Sequence, residues 1–260
     1  AQQDEPARAG LVRDTPSRRS TPYIACMTTT FSDWLRTHDS AAEPLIPAAT
    51  VLLVRDGSDG LETILMRRNS KLSFAEGMWV FPGGRIDDHD HPHDGDVAAA
   101  AANAAVREAK EEADLDIEVR SLVHYSHWIP PEEAPKRFST WFFVAPAPEG
   151  EVTVDQGEIL EHAWWRPADA LERASDRRIE ILPPTWMSLH DMAQFGSVDD
   201  LLTTAADRGP ALFATRIMRT SDGPAAMWEP DVAYRTGDPE TPGRRHRLVM
   251  TDGPWRLERD

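Results

Sequence analysis

Along this chain the apolar positions change period, and the changes separate strands from helices. Residues 48–55 are apolar and partly β-branched, which predicts a buried strand. Asp56-Gly57-Ser58-Asp59-Gly60 is turn chemistry, and 61–67 reads as the returning strand of a hairpin. Residues 79–81 read as a short strand that stops at Pro82-Gly83-Gly84. Asp96 suits a helix N-cap and is followed by an alanine-rich run, so a long helix is predicted over 96–113. Strands are expected at 117–128 and 138–144, joined by a proline-rich loop, and a short one at 163–165. Pro167 opens a helix through 173, and further helices are expected at 184–194 and 197–206. Strand-like alternation returns at 211–218 and 246–258, and no internal repeat is visible.

This order of strands, one long helix, strands and further helices predicts an α/β (α+β) fold, with a mixed β-sheet between helices. The 260 residues suffice for one sizeable domain with an extension. Residues 1–40 lack any period and read as a disordered N-terminal tail, with Met27-Thr28-Thr29-Thr30 resembling a natural start. Residues 41–175 read as the core and 176–260 as a C-terminal helical and β extension packed on it.

Composition narrows the function. A formal charge of −16 argues against nucleic-acid partners and against docking on an anionic membrane. It leaves a polyanionic small substrate open, because a metal ion reverses the local sign. No apolar run is long enough to span a bilayer. The single cysteine, Cys26, forms no intrachain disulfide, and no secretory leader pattern is present, so the expected compartment is the cytoplasm.

The candidate chemistry lies in Gly83-Gly84-Arg85-Ile86-Asp87 and, later, Arg107-Glu108-Ala109-Lys110-Glu111-Glu112. On a helix, Glu108, Glu111 and Glu112 fall within about 100° of arc. Ala102, Ala105, Val106, Ala109 and Ala113 occupy the adjacent arc, so one side can pack on a sheet while its neighbour presents three carboxylates. A divalent cation would relieve their mutual repulsion, and hard oxygen ligands suit Mg²⁺ or Mn²⁺. A plain solvated acidic face, with Arg107 pairing Glu111, is the competing reading of the helix alone. The glycines tilt the balance, because a strand ending in Gly83-Gly84 lets backbone approach a ligand closely.

Together these residues resemble the motif of the Nudix hydrolases: a glycine, five residues, a glutamate, seven residues, then Arg-Glu-apolar-x-Glu-Glu-x-Gly-apolar. Gly84 matches the glycine, and Arg107, Glu108, Ala109, Glu111, Glu112 and Leu115 match the helical half. The resemblance implies that Glu108, Glu111, Glu112 and the Gly84 backbone ligate the metal. It makes Arg107 an organiser held by an earlier acidic residue. The chain departs from the motif in three places. Asp90 stands where the family has Glu, so the partner of Arg107 is Asp90 or Asp87. Sixteen residues (91–106) replace seven, the nine-residue insertion being expected to form a surface loop before the helix, and Asp114 replaces the closing glycine.

Trp128-Ile129-Pro130-Pro131, Arg137 through Phe143, and Glu158 through Pro167 resemble the branch of peroxisomal-type coenzyme A diphosphatases, which usually has Asp where Ser139 stands. That branch implies cleavage of a diphosphate (pyrophosphate) linkage in a nucleoside-diphosphate-linked small molecule. Arg68, Gly83 and Arg137 would contact substrate, and Glu112, Glu108, Glu158 or Glu161 would serve as general base. Coenzyme A or acyl-coenzyme A is the first substrate reading. Arg68 and Gly77 are retained from the coenzyme A pattern, whereas Met66 and Ser73 replace its Thr and Arg. ADP-ribose, NADH or a nucleotide sugar is the second reading. A non-catalytic ligand-binding regulator is the third, and the complete glutamate set speaks against it. A homodimer stays open. The His89 to Asp94 run reads as solvated loop, and Arg244 to Arg247 as a basic surface patch.

Overall fold

The computed structural model describes residues 44–69, 75, 77–93, 95–134, 136–154, 157–251 and 253–260. The expected tail, its Met27 start, Cys26 and Ser73 lie outside the described residues. Ala41–Asp260 form one compact unit.

Strand β1 (Leu45–Gly57) turns at residues 58–59 into β2 (Gly60–Arg68), as the turn cluster predicts. The next segment differs from expectation. Strand β3 (Trp79–Val80) does not end the extended run at Pro82, because β4 (Gly83–Arg85) continues it. β3 pairs with the end of β2 and β4 with the start of β1, so this bent segment fills the gap where β1 and β2 diverge. Val51 N–H donates to Pro82 C=O across 2.9 Å, which carries the pairing through the bend.

Helix α1 (Val97–Ala113) follows a 3₁₀ turn at Asp88–Asp90. The Asp96 side chain caps it by accepting from the N–H groups of Ala98 and Ala99. Asp114 closes it in the left-handed conformation, φ 55°, the role a glycine plays in the family motif. The helix thus forms over nearly the predicted span, and the non-helical stretch before it is shorter than the nine-residue insertion because the alanine run is already helical.

After a second 3₁₀ turn at Val119–Ser121, which shortens the strand expected from 117, come β5 (Val123–Ile129), β6 (Arg137–Pro146) and β7 (Ile159–Trp165). Helices α2 (Pro167–Ser175), α3 (Pro183–Met192) and α4 (Val198–Arg208) follow; the first two have proline in the first turn and the third a Ser197 cap.

The main sheet runs β3-β2-β1-β6-β5-β8, with β4 also on β1, β7 also on β2, and β8 (Ala211–Ala214) at one edge. It is mixed: β1 lies parallel to β6 and β5 parallel to β8, while the other pairs are antiparallel. One face buries Ala49, Val51, Leu53, Ile64, Met66 and Phe143 against the alanines of α1. The opposite face buries Leu52, Val54, Leu65, Phe142 and Val144 against Ala170, Leu189, Met192 and Leu201 of α2, α3 and α4. Phe142 and Phe143 are both core residues, on opposite faces. The expected sheet between helices is thus what the chain forms.

The chain then crosses at Thr215 into a second, four-stranded antiparallel sheet of β9 (Arg216–Thr220), β10 (Gly223–Met227), β11 (His246–Val249) and β12 (Arg256–Arg259). Short helix α5 (Val232–Thr236) lies between β10 and β11. Sequence alternation missed β10 and α5 and merged β8 with β9. The basic run at 244–247 is not wholly a surface patch, since Arg247 is buried and paired with buried Asp231 at 2.6 Å. Among the described residues, no helix is long and apolar enough to cross a membrane.

Candidate active site

The second half of α1 faces the bend between β3 and β4. The alanine stripe seats the helix close to the sheet, and the adjacent arc carries Glu108 and Glu112 over Gly83 and Gly84. Gly83 N–H donates to Glu112 Oε2 across 2.9 Å. A Cβ on Gly84 would stand 2.2 Å from Glu108 Oε1, so any side chain there would displace that carboxylate from its place. A Cβ on Gly83 would stand 2.5 Å from Ala49 C=O.

Arg107 ties the cluster together. Its Nε donates to Asp90 Oδ1 (3.1 Å) and its Nη2 to Asp90 Oδ2 (2.9 Å) and Arg85 C=O (2.9 Å). Its Nη1 reaches Glu108 Oε1 at 2.8 Å and Glu111 Oε2 at 3.0 Å. The two partners the sequence left open are thereby separated: Asp90 forms the bidentate pair, while Asp87 stands 3.8 Å away. Asp90 is buried, contrary to a fully solvated His89 to Asp94 loop. Its 3₁₀ turn presses the carboxylate inward to cap the Asp87 N–H.

The cluster's charges are strained by burial. Burial would raise the Asp90 carboxyl, but Arg107 and the Asp87 N–H outweigh it and hold the group below its ordinary range. The hydrogen bond to Asp90 in turn holds Arg107 firmly protonated. Glu108 is pushed up by burial and by the charges of Glu111 and Glu158, against the pull of Arg107. Glu112 is pushed up to about 8, first by burial and then by Glu108 and Glu158, against the Gly83 N–H and Arg68. Four carboxylates therefore sense one another across a small space.

Arg68 and Glu158 also reach this space. Arg68 ends β2 with Nη1 3.7 Å from Glu112 Oε1 and Nη2 3.5 Å from Glu158 Oε2. Asn69 fixes the loop that carries Glu158: its N–H donates to Glu158 C=O and its side-chain amide to Gly157 C=O. Among the described residues no three His, Cys, Asp or Glu side chains already close into a metal cage.

The NUDIX domain matches residues 44–184 of this sequence, more than half of the chain. The chain belongs to the Nudix family. Acyl-coenzyme A diphosphatase NUDT19 of Xenopus laevis is 27% identical to it over 164 residues, covering 51% of this chain and 42% of that protein. The Gallus gallus protein of the same name is 24% identical over 144 residues, covering 52% and 38%. The chain thus spans about two fifths of the length of these curated relatives. The solved NUDIX hydrolase of Alicyclobacillus acidocaldarius superposes with a TM-score of 0.58 at 21% identity, covering 63% of this chain and 97% of that one, which shows the shared fold.

Within this Nudix domain the structure brings together Gly83, Gly84, Arg107, Glu108, Glu111, Glu112, Arg68 and Glu158. Glu111 is the outermost helix glutamate, 58% exposed. Glu161 stands opposite Arg67 in the β2–β7 register and is paired with it at 2.7 Å. Arg137 stands apart: it is four register positions from Trp141, which is level with Ala49 and Gly84, or about 13 Å along the sheet. Met66 lies in the core beneath α1, so its difference from the coenzyme A pattern is one of packing. Gly77 has φ 68°, a conformation that favours glycine. Ser139 is hydrogen-bonded to His127 Nε2 at 2.8 Å. Sequence reasoning did not find Asn69 or the Arg85 carbonyl, for neither carries a motif.

Proposed function

We propose that this chain is a divalent-cation-dependent hydrolase that cleaves the diphosphate linkage of a nucleoside-diphosphate-linked small molecule, with coenzyme A or acyl-coenzyme A as its first candidate substrate. The observation that carries the reading is the placement of Glu108 and Glu112 over the Gly83-Gly84 backbone, where a side chain at Gly84 would displace the Glu108 carboxylate. The all-oxygen donor set, crowded enough to raise two carboxyls, suits Mg²⁺ or Mn²⁺. An incomplete cage also suits Mg²⁺, which is commonly held by one or two carboxylates with substrate phosphates and water. Glu108, Glu112 and Glu111 would hold the cation, with the Gly84 backbone as a further ligand. When bound, it neutralises phosphate charge and lowers the pKa of water.

The chain's own groups do the positioning. Gly83 N–H fixes one oxygen of Glu112, and Arg107, itself anchored by Asp90 and the Arg85 carbonyl, fixes Glu108. Arg68 offers guanidinium donors to phosphate oxygens. Of the two later glutamates, the geometry favours Glu158 as a general base beside Glu108 and Glu112, because Glu161 is held away by Arg67. The acyl-coenzyme A diphosphatase relatives support the substrate choice.

The test is a panel of coenzyme A, acetyl-coenzyme A, ADP-ribose, NADH and a nucleotide sugar, each with Mg²⁺, Mn²⁺ or chelator. Metal-dependent release of 3′-phospho-AMP and a phosphopantetheine from the first two supports the reading. Preference for another member moves the substrate within the same chemistry. Hydrolysis of none points to a ligand-binding regulator, and undiminished turnover in chelator removes the cation.

A further inference from the structure

Arg68 lies where the β2–β7 pairing shifts register, and this irregularity swings its side chain toward two carboxylates at once. Its separations from Glu112 and Glu158, 3.7 and 3.5 Å, are those of ion pairs and not of well-formed hydrogen bonds. Its buried Nε has no hydrogen-bond partner among the described residues. A mostly buried guanidinium with unused donors is prepared for a further acceptor, and a phosphate group fits its planar fork. Arg107 is the contrasting case, since Asp90, Glu108, Glu111 and the Arg85 carbonyl take up its donors.

The oxygens of Glu112 are divided between two neighbours. Oε2 accepts from Gly83 N–H, which leaves Oε1, the oxygen that faces Arg68. A cation on Oε1 would share the near surroundings of the guanidinium, and like charges this close in a shielded site oppose each other. A diphosphate changes the balance, because its oxygens can lie between the two cations and attract both.

We infer that Arg68 makes cation binding conditional on substrate: it weakens the hold of Glu112 on a divalent ion when no diphosphate is present and reinforces it when one is. This rests on the cation reading of the site given above. By linkage, cation and diphosphate each tighten the binding of the other, and Arg68 supplies much of that coupling.

Mn²⁺ binding to the full chain, followed by electron paramagnetic resonance, tests this, with α,β-methylene-ADP as a diphosphate that cannot be cleaved. Wild type is expected to bind Mn²⁺ about tenfold more tightly with the analogue than without. Arg68→Met is expected to bind Mn²⁺ alone about fivefold more tightly than wild type and to lose most of the gain from the analogue. Arg68→Lys, which keeps the charge, stays near wild type without analogue. If Arg68→Met does not fold by circular dichroism, Arg68→Gln carries the same comparison. Mn²⁺ binding that Glu112→Gln weakens but the Arg68 variants leave unchanged, or weaken, overturns the inference alone. Mn²⁺ binding that Glu112→Gln leaves unchanged overturns both the cation site and the inference.

Discussion

The Gly83 N–H donates to Glu112 Oε2 at 2.9 Å, joining the bend in the sheet to the last turn of the helix. Gly83 belongs to β4, which pairs with β1 within the main sheet, so the carboxylate is tied to the sheet's central strands. The same bond holds a mostly buried acid beside other acids, an arrangement expected to cost stability once Glu112 ionises.

Glu112 should make the metal-free protein less stable as pH rises. Its folded pKa, about 8, lies above the ordinary 4.5, so the folded state binds the extra proton between these values. Stability attached to that proton is present below about 4.5 and is lost as pH climbs towards 8. In chelator, Glu112→Gln should therefore melt progressively higher than wild type from pH 5 to pH 8. Added Mg²⁺ or Mn²⁺ should narrow the gap, because a cation bound at Glu112 favours the ionised folded state. Parallel melting curves for the two proteins across this range would contradict the burial of a strained Glu112.

Gly84→Ala should separate activity from stability. The added Cβ would stand 2.2 Å from Glu108 Oε1, the movable end of a long side chain. The carboxylate can swing aside, but it then leaves its place beside Arg107. Turnover should fall about a hundredfold, the scale of a misplacement of about 1 Å, while the melting temperature changes little. Equal loss of both would show that Gly84 serves the sheet and not the glutamate.

Arg107 is expected to matter for both quantities. Arg107→Ala removes the partner of buried Asp90 and should lower stability by about 3 kcal/mol, as breaking a buried pair does. Rates should fall as well, because Glu108 loses its fixing contact. A cycle with Asp90→Asn should show coupling of about 1 kcal/mol or more in unfolding free energy. Additive losses would make Asp87 or solvent the working partner.

The helical half of the site was legible because spacing on a helix dictates which residues share an arc, and Arg107 to Glu112 carry that spacing. The sheet between helices was legible from the change of hydrophobic period at Asp96. What was hidden depends on contacts far apart in sequence. Arg68 and Glu158 meet because β7 returns beside β2 and because the pairing slips between Arg67 and Arg68, and no local pattern announces that slip. Asp90 and Asp87 looked equivalent until the 3₁₀ turn buried one and left the other exposed. β10 escaped notice because its segment, Gly-Pro-Ala-Ala-Met, has weak strand chemistry and owes its form to pairing with β9 and β11.

The most direct measurement is metal-supported diphosphate hydrolysis by Glu108→Gln, Glu112→Gln and Lys110→Gln on the best substrate of the panel. Glu108 and Glu112 face Gly83 and Gly84, whereas Lys110 pairs with Asp114 and Asp116 on the exposed side of the helix. Both glutamate variants are expected to lose turnover by orders of magnitude while remaining folded, and Lys110→Gln to keep it, since exposed pairs contribute little. Wild-type rates in both glutamate variants would contradict a hydrolytic site built on this helix.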